Sequence, residues 1–131
     1  LVHRDVKPSN VLLDTGARIL NGTDAPVEDV SPIRNFHASV TRQDASGQPP
    51  GGFDPDQKLT RAEALRTMTL DAAHGSFAET EKGSIEAGKL ADLVGLSQDI
   101  LAVPDDALVG TDVLVTIVDG KILYEKEKGR P

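Results

Sequence analysis

The sequence predicts an α/β chain, and three observations carry that prediction. A helix-periodic region fills the middle, and two β-periodic runs joined by a tight turn lie near the end. A short apolar run near the start leads into a loop that holds an aspartate. At 131 residues the chain is the size of one ordinary domain, or of a piece of a larger one. With 38% apolar and 27% charged residues its composition is globular. It opens on Leu rather than Met, which suggests a fragment of a longer product.

Taken in order, VLLDTGARIL reads as the end of a short helix and then a strand. Ser9 or Asn10 can cap that helix, and Gly16 stands where a left-handed residue ends one. Ala17 to Asn21 is expected as a buried strand running into the loop NGTDAPVEDVSP. Ser31 and Pro32 then read as cap and first residue of a helix. Ile33, Phe36, His37 and Val40 share one of its faces. The Gly- and Pro-rich stretch 42–58 reads as a long functional or mobile loop.

Helix recurs in LTRAEALRTMTLDAAHGSFAE. Thr60 and Glu63 have capping-box spacing, and Leu65, Met68 and Ala72 repeat at helical intervals. A second helix is expected from Thr69 or Asp71, carrying Ala72, Ala73 and Phe77, although Gly75 weakens it. Beyond it the period changes. Leu90 to Leu96 reads as a strand, and Val113–Val118 and Lys121–Tyr124 as a hairpin turning at Asp119-Gly120.

Composition excludes several functions. Twenty-one acidic against fourteen basic residues leave a net charge of −7, and aromatics make up 3%. Nucleic acid is therefore not an expected partner, since phosphate binding needs clustered cations and base stacking needs aromatic rings. No cysteine is present, so there is no disulfide framework and no thiolate metal site. The apolar runs fall far short of the ~20 residues of a bilayer span, and no signal segment opens the chain. No membrane partner and a cytoplasmic location are expected.

Two motifs carry chemistry. His3-Arg4-Asp5-Val6-Lys7-Pro8-Ser9-Asn10 resembles the catalytic loop of protein kinases. That resemblance implies a substrate-orienting Asp5, a phosphate-neutralising Lys7 and a magnesium-holding Asn10. The DFG triplet that should follow is missing, however, because Asp24 is followed by Ala-Pro. The plain alternative is a solvated arm without chemistry.

The rest of the chain resembles the C-terminal part of metal-dependent amidohydrolases, in particular amidohydrolase family 3, which includes N-substituted formamide deformylases. The blocks that carry the resemblance are GARILNGTDAPVEDVSPI, ASVTR, LTRAEALRTMTLDAA, and KGSIEAGKLADLVGLS with VLVTIVDGKILYE. It implies the last strand and helices of a (β/α)8 barrel plus the returning strands of a small β-sandwich. The expected organisation is a kinase-like arm or fusion junction at 1–13, the barrel end at 14–82, sandwich strands at 83–127 and a tail at 128–131.

The implied activity is hydrolysis of a non-peptide carbon–nitrogen bond in a small-molecule amide. It depends on a divalent metal, zinc by resemblance. Asp24 is the expected catalytic residue and metal ligand, since strand-end loops of barrel enzymes carry the chemistry. An Asp before Ala-Pro is also an ordinary loop residue that bonds its own backbone. The other family ligands, an HxH pair among them, are absent, so the isolated chain is expected to be inactive. The alternatives are a kinase fragment and a non-catalytic β-sandwich module.

His37 and His74 have no histidine or carboxylate partner at ligand spacing and read as packing or surface residues, as does His3. Glu28 and Asp29 read as a solvated acidic loop or as part of a substrate entrance. Arg42 reads as a cation at a helix C-terminus or as a holder of a substrate oxygen. Lys89 and Asp92 read as structural.

Overall fold

The computed structural model describes residues 16–127. Three helices come first: α1 (Pro32–Thr41), α2 (Arg61–Met68) and α3 (Leu70–Gly75). Three strands follow: β1 (Leu93–Leu96), β2 (Val113–Val118) and β3 (Lys121–Glu125). Short 3₁₀ turns lie at Pro55–Gln57 and Asp105–Gly110. The chain is α/β, as the periodicities predict. The kinase-like run and the helix expected before Gly16 lie outside the described residues.

The helix ends follow local chemistry. Pro32 opens α1 and the Ser31 side chain accepts from the Arg34 N–H at 3.3 Å. Phe36, His37, Val40 and Thr41 form its buried face. Thr60 and Glu63 make the reciprocal capping box at the start of α2. Thr69, at φ −122° and ψ −85°, separates α2 from α3, so the second helix begins at Leu70. Phe77 does not ride on that helix. The helix stops at Gly75, the Ser76 hydroxyl bonds Ala72 O and Ala73 O, and Phe77 turns left-handed at φ 56°. Phe77 is 90% exposed.

The sheet has the order β1-β2-β3 and is antiparallel throughout. Asp119 and Gly120 both take positive φ, 50° and 71°, as the two-residue turn requires. β1 is shorter than expected. The Leu90 N–H is drawn to Glu81 O at 2.7 Å, and strand pairing starts at Leu93 opposite Ile117. Gly95 faces Val115, and a Cβ there would stand 2.6 Å from a Val115 methyl.

Ala17–Asn21 is not a strand in the structure. A strand exists through its ladder, and none of the described strands runs beside this segment. It rests on the helices instead. The Asn21 N–H donates to Thr67 O at 3.3 Å, and the Leu20 side chain lies over Gly75.

The core lies on the helical side. Phe36, Val40, Leu59, Ala64 and Leu108 are buried together, flanked by Leu65, Met68, Ile100 and Val103. Leu108 comes from the connection between β1 and β2, so that connection is a wall of the core. Arg61 fastens it to α2 by bonds to Ile100 O and, at 2.6 Å, to Asp105.

Candidate functional site

A cleft of about 480 Å³ opens where the 19–24 segment, α1 and the start of the 42–58 loop meet. Asp24, Glu28, Asp29, His37, Arg42 and Gln57 are among its lining residues. Asp24 thus lies in the wall of a cleft. Its backbone is left-handed at φ 50°, a conformation Asp tolerates better than most residues, and its carbonyl accepts from the Val27 N–H at 2.9 Å. The residue is exposed.

The loop after Asp24 is acidic, but its charges are not equivalent. Asp29 is held by Arg34 at 2.8 Å in an exposed pair. Glu28 lines the cleft with no ion pair among the described residues.

His37 is buried at 4% exposure on the inner face of α1. Burial pushes its pKa below the ordinary 6.5, against the opposing pull of the Asp105 and Asp44 carboxylates. Its neutral form is favoured, which suits a packed residue. His74 lies in α3, with Nδ1 3.2 Å from Glu79.

Arg42 stands at the C-terminus of α1, as one of its two readings expects, and it lines the cleft. It follows α1 in a left-handed conformation at φ 59°, and its own N–H bonds Ala38 O. Its side-chain Nε donates to Phe53 O at 2.9 Å. The guanidinium carbon stands 5.8 Å from the Phe53 ring centroid. The 42–58 loop is therefore strapped down. Gln43 adds bonds to Gly47 O and Pro49 O, and the Asp44 carboxylate takes the Ser46 hydroxyl and two N–H groups. The Ser46 hydroxyl and the backbone donors of Gln48 and Ser46 hold the Asp44 pKa below the usual range.

Lys89 and Asp92 are structural, as expected. The Lys89 ammonium donates to the Ser84 hydroxyl at 2.6 Å, and Asp92 accepts the Asp119 N–H at 2.9 Å.

The sequence reading overlooked Gln57. It lines the cleft, and its Oε1 is buried without a hydrogen-bond partner among the described residues. A Gln beside the Asp-Pro-Asp turn gave no periodic signal.

Metal chemistry is more demanding. Among the described residues no group of three or more His, Asp and Glu side chains converges to hold an ion. These residues do not fit a complete metal site, because Asp24 alone cannot fill a coordination shell. No helix among them is long and apolar enough to cross a membrane.

Comparison with known proteins places this arrangement in a wider frame. The profile of the Amidohydrolase family matches residues 3–124, a span that includes His3–Asn10. N-substituted formamide deformylase of Arthrobacter pascens is 37% identical over 124 residues, which are 95% of this chain and 22% of that protein. A 5-methylthioadenosine/S-adenosylhomocysteine deaminase of Moorella thermoacetica is 32% identical over 130 residues, 92% of this chain and 29% of that protein. An amidohydrolase structure from Thermotoga maritima superposes with a TM-score of 0.61 at 23% identity, covering 94% of this chain and 27% of that one. The chain thus spans between a fifth and a third of the length of these relatives. With nearly all of its sequence matched and a shared fold, the chain belongs to the amidohydrolase family.

Proposed function

We propose that the chain is the C-terminal part of an amidohydrolase that hydrolyses a non-peptide carbon–nitrogen bond in a small-molecule amide. The observation that carries this reading is the position of Asp24 in the wall of a cleft, on a loop inside the family match. The relatives' names, a formamide deformylase and a deaminase, support chemistry at carbon–nitrogen bonds.

In this reading residues 14–82 close a (β/α)8 barrel and the sheet belongs to a small composite β-sandwich. A divalent ion, zinc in this proposal, is held in the complete enzyme with ligands from beyond the described residues, and supplies Lewis acidity when bound. The setting is cytoplasmic.

The role assigned to Asp24 follows from its chemistry. A carboxylate Oδ accepts a proton as water attacks the amide carbon, and it returns that proton to the departing nitrogen as the carbon–nitrogen bond breaks.

Asp24→Asn in the complete enzyme tests the assignment. The change keeps the shape and removes the base, so amide hydrolysis should fall by about 10²–10⁴-fold with folding intact. A variant that retains activity would remove Asp24 from the chemistry. The isolated 131 residues should bind zinc weakly at most, and tight stoichiometric binding would relocate the metal site.

A further inference from the structure

The hydrogen bonds that tie the segment before Asp24 to the helices converge on one residue. Asn21, three positions earlier, is fixed at both of its polar ends. Its backbone N–H donates to Thr67 O of α2 at 3.3 Å, and its side-chain Nδ2 donates to Ser39 Oγ of α1 at 2.8 Å. Ser39 is in turn oriented. Its hydroxyl proton goes to Asn35 O at 2.8 Å, which leaves the oxygen lone pairs for Asn21. The Ser39 carbonyl accepts from the N–H of Leu59, a core residue, at 3.0 Å.

We propose that the Asn21–Ser39 hydrogen bond is a positioning device that fixes the Asp24 loop against the helical core. Ser39 and Asn21 are positioning residues and take no part in bond making. The proposal rests on Asp24 being the working carboxylate. Three observations support it. Among the described strands none gives the 17–24 segment a ladder. The bond is part-buried, so water competes with it less than at the surface. Its two ends lie eighteen residues apart, joining the loop to a helix whose inner face is core.

The experiment uses near-isosteric variants. Asn21→Asp keeps the shape and loses the donor, Ser39→Ala loses the acceptor, and Ser39→Thr keeps the hydroxyl. Amide hydrogen exchange in the 131-residue chain reads the loop at Val27, whose N–H bonds Asp24 O, and reads the core at Ala64, whose N–H bonds Thr60 O. Asn21→Asp and Ser39→Ala should each speed exchange at Val27 by about tenfold with Ala64 unchanged, and Ser39→Thr should match the parent. The double variant should be no worse than either single one. In the complete enzyme the same two variants should lower kcat by about tenfold with KM unchanged.

Unchanged exchange at Val27, or equal acceleration at Ala64, would overturn the positioning role. Asp24→Asn separates the two readings. If that variant is inactive while exchange at Val27 ignores Asn21 and Ser39, only the positioning role fails. If it is active, the role of Asp24 fails and the loop attachment stands on the exchange result.

Discussion

The strands are more apolar in sequence than the helices, yet the core lies on the helical side. Phe36, Ala64 and Leu108 are at most 1% exposed. In β3 every residue is exposed, with Ile122 at 60% and Leu123 at 68%. The helices find their covering surface within the chain, in the connection between β1 and β2. None of the described residues lies over the sheet in that way. Apolar patterning states that a face needs cover, and it is silent about where the cover comes from.

The comparison can be broken most decisively at Leu108. Leu108→Ala should cost about 2–5 kcal/mol, because the side chain is fully buried between α1 and α2. Urea unfolding of the chain would measure it, and a loss under 1 kcal/mol would mean that the connection is not a wall of the core. Gly52→Ala comes next. Gly52 is left-handed at φ 89°, and a Cβ there would overlap the Thr41 carbonyl oxygen, which is backbone and cannot swing away. The expected loss is about 1–3 kcal/mol, read by the same unfolding curve. Thr60→Ala should remove one cap bond and cost about 1 kcal/mol.

His37 sharpens the comparison through pH. Its folded pKa lies below 6.5, so its stabilising contribution is complete above that value and is lost as pH falls toward the folded pKa. Thermal unfolding between pH 7 and 5 should show the decline, and a His37→Phe variant should flatten it. The smallest effect belongs to the sheet. Leu123→Ser in β3 should change the stability of this chain by no more than about 0.5 kcal/mol. A loss as large as that of Leu108→Ala would show that the two regions do not differ as their burial indicates.

Much of this was legible beforehand, and for local reasons. Caps, proline at the first helical position and an Asp-Gly turn act through neighbouring backbone atoms. The starts of α1 and α2 and the hairpin therefore appear where Ser31-Pro32, Thr60 with Glu63, and Asp119-Gly120 put them. What escaped depends on partners far away in sequence. Ala17–Asn21 has strand character but no ladder among the described residues, and Leu108 stands in a stretch without clear period. Of the candidate site, Asp24 is expected from the family resemblance, and it lines the cleft. Its link through Asn21 to Ser39 could not be read, since neither residue carries a signal until α1 brings them together. The bond from Arg42 to Phe53 O could not be read either, since it depends on a left-handed backbone at Arg42 and a residue eleven positions on.

The docking of Leu108 on Phe36 also bears on the order of events during synthesis. The ribosome releases α1 and α2 well before the segment that seals them. Until residues 97–112 have emerged, the inner faces of both helices stay open to water, and the long loop between Phe36 and Leu108 must close before the core gains its last wall. A nascent chain halted after β1 should therefore be protease-sensitive throughout its helices, and a chain released after residue 112 should resist.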